Sequence, residues 1–226
     1  MNNTEMISRT TSYTSKLLRT RFGKGPESMS ITMDQHMILI RLHHFLNPVE
    51  AFLLNEQEEQ TFLHTRELVM KSLLSELVEF LDEHLNLQVD RLYYDWGMHN
   101  ASGMIAGILH DPELGQTADY EGKQTVHQQI NEVTAAIQRQ ASFMDSWWLK
   151  PNTLVVFRKG ITVLLEKELC ELGYENQLRA AKRRLEKRML QQDTDLERLF
   201  HKEIEDVYTD WNFEQDDSLI LYTFKS

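Results

Sequence analysis

Apolar positions along this chain alternate between two spacings, and each change of spacing marks an element. Within residues 4–22, Met6, Tyr13, Leu17 and Leu18 stand among polar neighbours at helical spacing, which predicts a helix. Gly23-Lys24-Gly25-Pro26 closes it, because glycine tolerates positive φ and proline cannot continue a helix. Met29, Ile31 and Met33 then alternate with Ser30 and Thr32, the period of a strand. Asp34-Gln35-His36 makes a turn, and Met37 to His43 returns as the second arm of a β-hairpin. Asn47 as N-cap and Pro48 at the first helical position start a long helix. Its stripe is Phe52, Phe62, Leu63, Val69, Leu73, Leu77, Phe80 and Leu85, with a Glu/Gln-rich stretch at 55–60 as its solvated or broken part. Leu87 to Trp96 and Met104 to Leu109, around Asn100-Ala101-Ser102-Gly103, predict a second hairpin.

The polar segment His110 to Gly122 carries a proline and two glycines and reads as a linker over 111–123. After it the same order returns. Ile130, Val133, Ile137 and Met144 predict a helix; Thr153 to Phe157 and Ile161 to Glu166, around Arg158-Lys159-Gly160, a hairpin. Leu178, Leu185, Leu196, Leu199 and Ile204 predict a further helix, and Val207 to Phe224 a last hairpin. Letters repeat as well. Leu92-Tyr93-Tyr94-Asp95-Trp96 aligns with Val207-Tyr208-Thr209-Asp210-Trp211 at an offset of 115, and Pro26, Met29 and Ile31 align with Pro151, Leu154 and Val156 at 125. The expected architecture is α+β: two tandem, pseudo-equivalent αββαββ units, residues 1–110 and 124–226, each a four-stranded antiparallel sheet covered by helices.

Charge narrows the partners. Lys plus Arg number 24 against 35 Asp plus Glu, a net of -11, which repels nucleic acid and anionic lipid over most of the surface. Cys170 is the only cysteine, so an intrachain disulfide and a thiolate metal cage are both excluded. The opening Met1-Asn2-Asn3-Thr4-Glu5 has no secretory pattern and no apolar run has spanning length, so a cytoplasmic protein is expected, peripheral to the membrane if it acts there.

Phe22-Gly23-Lys24-Gly25-Pro26-Glu27-Ser28, followed by an alternating hairpin, Leu46-Asn47-Pro48-Val49-Glu50, a long helix and Val89 to Trp96, resembles the MpsC-like family. These are small bacterial proteins named for a Na+-translocating, membrane-potential-generating system. The resemblance covers about residues 5–110. The second copy matches by analogy with the first, carrying Trp147-Trp148-Leu149-Lys150 in place of the glycine turn and Cys170-Glu171-Leu172-Gly173 near the helix entry. What the resemblance implies is a non-enzymatic accessory role near an ion-transport system.

Candidate chemistry is sparse. Gly23, Lys24, Gly25 and Pro26 close a helix and enter a strand, the reverse of a phosphate loop, so a C-cap is expected. Asp95-Trp96 and Asp210-Trp211 sit at equivalent strand ends, each Asp expected to bond its own turn and each Trp to cover a core edge. The nine histidines are scattered; His43 and His44 point to opposite faces of a strand and cannot chelate together. No catalytic residue, cofactor or metal is expected. Arg179, Lys182, Arg183, Arg184, Lys187 and Arg188 concentrate six cations in ten residues, the best partner-binding candidate. Leu178, Ala181, Leu185 and Met189 thread them at helical spacing, so the cations are expected on a wet helix face, compensated by acids of the first copy such as Glu56, Glu58 and Glu59. The leading function is an accessory or adaptor protein working by protein contact, as a pseudo-dimeric monomer. The alternative is a small-ligand or regulatory module with its site between the units; an enzyme using Asp95 and Asp210 ranks below both.

Overall fold

The computed structural model describes residues 2–109 and 117–225. The chain divides into two compact units, Met1–Asp111 and Pro112–Ser226. Unit 1 runs α1 (Asn3–Phe22), β1 (Ser28–Met33), β2 (Met37–His43), α2 (Pro48–Asn55), α3 (Glu59–Leu85), β3 (Val89–Gly97) and β4 (Ser102–Leu109). Unit 2 runs α4 (Lys123–Ile137), β5 (Phe143–Lys150), β6 (Thr153–Lys159), α5 (Leu164–Glu171), α6 (Glu175–Gln192), α7 (Leu196–Phe200), β7 (Ile204–Asn212) and β8 (Asp217–Phe224). Each unit has one four-stranded antiparallel sheet, ordered β1-β2-β4-β3 and β5-β6-β8-β7. The expected α+β architecture of two similar units is what the molecule has.

The long helix expected from Asn47 is two helices. α2 ends at Glu56, whose N–H returns to Phe52 O and Leu54 O, and Gln57 takes φ 61° before α3 begins. The Glu/Gln-rich stretch is therefore the break. α1 and α3 bury Leu17, Leu18, Leu73, Leu77 and Leu81 against Ile38, Ile40, Leu42, Tyr94 and Ile105 of the sheet. The alternate sheet residues Met37, Leu39, Tyr93, Met104, Ala106 and Ile108 are buried too. Burial on both faces is why β4 reads as an unbroken apolar run, without strand alternation. In unit 2, Val126, Ile130 and Val133 of α4 pack with Leu190 and Leu196 on Leu154, Val156, Ile220 and Phe224.

Unit 2 departs from the sequence-based expectation in its first hairpin. Met144 belongs to β5, not to a helix, and the hairpin is β5 with β6, turning at Pro151-Asn152 rather than at Arg158-Lys159-Gly160. Trp147 and Trp148 stand in a strand, where aromatic side chains suit a pleated, half-buried surface. β6 continues through Lys159, which pairs with both Phe143 and Asp217, and Gly160 ends it at φ 70°. Ile161 and Thr162 then donate their N–H groups to Asp216 Oδ1, so no strand forms over 161–166. The helix expected through Ile204 stops at α6, resumes as α7, and Ile204 starts β7.

Register corrects the repeat. Ile40 pairs with Ile105 and Val156 with Ile220, so β2 and β6 correspond at an offset of 116. Ile31 pairs with Ile40 and Ser146 with Val156, so β1 and β5 correspond at 115. Pro151 is thus not the counterpart of Pro26, and the offset of 125 is replaced by one nearly constant offset. The expected linker at His110 to Gly115 lies outside the described residues; its described end, Thr117 to Gly122, leads into α4.

One close approach holds the unit 1 sheet end. Trp96 sits opposite Gly103 on β4, and a Cβ on Gly103 would meet the indole at 2.5 Å. Ser218 occupies the matching position beside Trp211, so the indole need not crowd its partner there. Gly103→Ala is expected to destabilise the chain by about 1–3 kcal/mol by overpacking. The check is the urea midpoint; an unchanged midpoint would show that the indole moves aside freely.

Candidate functional site

The start of α2 is fixed by a reciprocal cap. Asn47 Oδ1 accepts from Glu50 N, and Glu50 Oε2 accepts from Asn47 N, both at 2.9 Å. The Glu50 carboxylate then does a second job. Arg66 of α3 donates Nε to Glu50 Oε1 at 2.7 Å and Nη2 to Oε2 at 3.0 Å, a planar fork on a planar acceptor. Nη2 also donates to Phe45 O at 2.5 Å. Both residues are buried. The guanidinium carbon lies 4.1 Å from the Trp96 ring centre, 4.7 Å from Phe62, 5.0 Å from Phe45 and 5.7 Å from Phe22. Burial lowers the Arg66 pKa, and Glu50 opposes that shift. Two helices, a loop, a strand and the last residue of α1 therefore converge on one cation.

Unit 2 repeats the plan with different letters. Glu166 Oε2 accepts from Val163 N at 3.0 Å, and Oε1 accepts from Lys182 Nζ at 2.7 Å. Valine has no side-chain acceptor to complete the box. Lys182 Nζ also donates to Gln138 Oε1 and lies 5.1 Å from the Trp211 ring centre. Glu50 and Glu166, and Arg66 and Lys182, stand 116 apart; Trp96 and Trp211 stand 115 apart. Burial lowers the Lys182 pKa, against the pull of Glu166.

Around this strut α6 turns its charges inward. Arg179, Lys182, Arg183, Glu186 and Leu190 are its buried residues, while Ala181 is exposed and Leu178, Leu185 and Met189 are half-buried. Arg179 Nη1 donates to Asp210 Oδ1 and to Trp211 O, its Nη2 to Glu175 Oε1 at 2.7 Å; Arg183 Nη2 reaches the same Asp210 oxygen at 2.9 Å. Glu186 pairs with Arg158 of β6 at 2.6 Å, both with no exposed surface. The wet-face expectation therefore fails for Arg179, Lys182 and Arg183, whose acids belong to unit 2 itself. Only Arg184 and Arg188 are exposed, with Lys187 half-buried. Two stripes of equal period lie one residue apart, and periodicity does not say which faces in. The acids that hold Lys182 and Arg183 lie 16 and 27 residues away, so no local spacing marks them.

A third polar cluster, invisible as a motif, ties α4 to β5. Asp145 accepts from Lys123 Nζ and Thr117 Oγ1, each at 2.8 Å. Next to it, Ser146 Oγ bonds Tyr120 OH at 2.7 Å and His127 Nε2 at 2.8 Å. Burial raises the Asp145 pKa, but Lys123, Thr117 and the Ser146 N–H together hold it below the ordinary carboxylate value. Burial pushes Tyr120 up to about 12 against its bond to Ser146. Burial, with the Lys123 ammonium, lowers His127, and Asp145 opposes.

The remaining candidates have local roles. Gly23 is the left-handed cap of α1 at φ 72°, Lys24 Nζ donates to Leu46 O at 3.2 Å, and Gly25 and Pro26 lead into β1. Asp95 Oδ1 accepts from Trp96 N at 2.7 Å, and Asp210 serves two guanidiniums. Beside Arg66 and Trp96 a cavity of about 10 Å³ leaves room for one water at most. A groove of about 340 Å³ lined by Gln35, Asn86, Leu87, Gln88 and Leu109 carries no titratable side chain. Among the described residues there is no group of three or more His, Cys, Asp or Glu able to hold a metal, and no helix long and apolar enough to cross a membrane.

Residues 3–111 match the family model described as Na+-translocating membrane potential-generating system (MpsC). The match covers unit 1, including the Gly-Pro turn and the Asn-Pro helix start that carry the resemblance; unit 2 lies outside it. No curated protein and no solved structure matches the chain.

Arg66→Met leaves the Glu50 carboxylate buried without its cation, an expected loss of about 3–5 kcal/mol. Adding Glu50→Gln is expected to recover part of that loss, as read from a double-mutant cycle in urea; strict additivity would refute the strut. For His127 the folded pKa lies below its ordinary 6.5. The unfolded chain then binds more protons as pH falls below about 6.5, so stability declines through that window. His127→Gln keeps a bond to Ser146 and removes this slope. Equal changes in urea midpoint for wild type and variant between pH 7.5 and 5.5 would exonerate His127.

Proposed function

We propose that this chain is a non-catalytic accessory protein of a Na+-translocating, membrane-potential-generating system, and that it works by protein contact. The observation that carries the reading is the family match over residues 3–111. The net charge of -11 supports contact with protein over contact with anionic lipid. On this reading the protein acts in the cytoplasm at the inner face of the membrane. Unit 2 is a second, diverged copy of the family unit. The same strand order, the near-constant register offset and the shared Glu–cation–Trp strut support that assignment.

Removing the protein from its native cell is expected to lower the Na+-dependent part of the membrane potential, followed with a potentiometric dye. Re-expressing the full chain restores it. A potential that is indifferent to the deletion at every Na+ concentration overturns the reading.

A further inference from the structure

We propose that α2 and α5 are docking ledges for a Lys/Arg-rich, amphipathic segment of a protein partner. This deepens the accessory-protein reading and rests on it in one respect, that the partner is a protein. Each ledge is a short helix whose first turn is pinned by a buried carboxylate, Glu50 or Glu166, so it is held rigidly. Its outer side is apolar and open. Val49 and Phe52 are 68% and 60% exposed on α2, Leu164 and Leu165 85% and 70% on α5, and Leu172 beyond α5 is exposed as well. Val49 and Leu165 are 116 apart, the structural offset of the two units. Two diverged units have thus each kept an exposed aliphatic residue at the same place, where water contact gives it no benefit.

The charges beside the ledges select the occupant. No Lys or Arg occurs from Asn47 to Leu63, while Glu56, Glu58 and Glu59 are exposed just past α2. On α5, Glu168 and Glu171 are exposed four and seven residues after Leu164, on the same side of the helix. Lys167 on α5 lies 3.9 Å from Asp216, and Lys24, beside the start of α2, donates its Nζ to Leu46 O. An apolar strip with an acidic rim fits a helix that is apolar on one side and basic beside it, the helix-in-groove mode of recognition. Such segments are common where membrane proteins enter the cytoplasm, since their short cytoplasmic loops are rich in Lys and Arg. An anionic lipid surface meets the same rim with repulsion. A second copy of this chain, docked ledge to ledge, sets Glu56, Glu58 and Glu59 against their own counterparts.

The probe is a synthetic Lys/Leu amphipathic helix of about 20 residues, with a scrambled peptide of identical composition as its control. Fluorescence anisotropy with the full chain is expected to show binding to the helix at least tenfold tighter than to the scramble, weakening with salt. Val49→Ser with Phe52→Ser and Leu164→Ser with Leu165→Ser, all exposed and so expected to leave thermal unfolding unchanged, are each expected to remove one of two separate peptide sites, about halving the peptide bound per chain at saturation, and together to weaken binding at least tenfold. Glu56→Lys with Glu59→Lys should weaken it too. Equal binding of helix and scramble, or affinity unmoved in the combined serine variant, overturns the ledges. So does self-association, or binding to phosphatidylserine-containing vesicles, that the serine substitutions abolish. Peptide binding is read in vitro and membrane potential in cells. If the peptide fails to bind but deletion still lowers the potential, only the ledges fall; if it binds and deletion has no effect, only the accessory role falls.

Discussion

A buried carboxylate that caps one helix and grips a cation from the next is the constraint on which both units depend. In unit 1 it is Glu50 with Arg66, in unit 2 Glu166 with Lys182. Each fixes the angle at which a short helix leaves the sheet hairpin and the depth at which the following helix lies. Arginine and lysine solve the same problem differently. Arg66 is planar, forks onto Glu50, and is surrounded by four aromatic rings, an arrangement that suits a weakly hydrated guanidinium. Lys182 is a point charge, so it needs Gln138 beside Glu166 to fill its donors, and Trp211 and Phe213 for its flank. A buried pair of this kind is weak as a source of net stability, because desolvation offsets much of the attraction. Its effect is geometric: an unpaired carboxylate or cation in the core is so unfavourable that alternative packings are excluded.

Unit 2 extends the principle until charge replaces part of the apolar core. The inner side of α6 carries Arg179, Lys182, Arg183 and Glu186, matched by Asp210, Glu166 and Arg158 from three other elements. Asp210 lies between two guanidiniums, and Arg179 between Asp210 and Glu175, so each charge has an opposite neighbour. The consequence for function is that the most basic segment of the chain contributes little positive field to the surface. What is left outside is largely acidic, and next to the short helices it is acidic and apolar together. In the docking we propose, that combination is what selects a basic, amphipathic protein segment over lipid.

Periodicity made most of unit 1 legible. The α1 stop at Gly23, the hairpin of Met29 and Met37 and the Asn47-Pro48 start are local signals, decided by φ freedom, missing donors and side-chain alternation within a few residues, whereas the Glu/Gln stretch read equally as a solvated turn of one helix or as a break. The Asp95-Trp96 and Asp210-Trp211 pairs also marked equivalent positions in the two units. Unit 2 was less legible where β5 carries Trp147 and Trp148, at the register positions of Thr32 and Met33 in β1. Trp147 and Trp148 form a strand only because β6 offers them a partner, a long-range condition that their own spacing does not encode.

By itself, then, the sequence determined the class of fold, the repeat, the helix caps and the acidic balance, since each is a property of neighbours or of the whole composition. The tertiary structure decided which of two equal-period stripes on α6 faces inward, which strand pairs with Phe143–Lys150, and where Arg179, Lys182 and Arg183 find their acids. Those outcomes depend on groups far apart in the chain meeting at under 3 Å, such as Lys182 with Glu166 and Arg183 with Asp210. Once these charges lie inside, leaving any one without its partner is so unfavourable that the pairing overrides the ordinary amphipathic rule, and no local pattern records it.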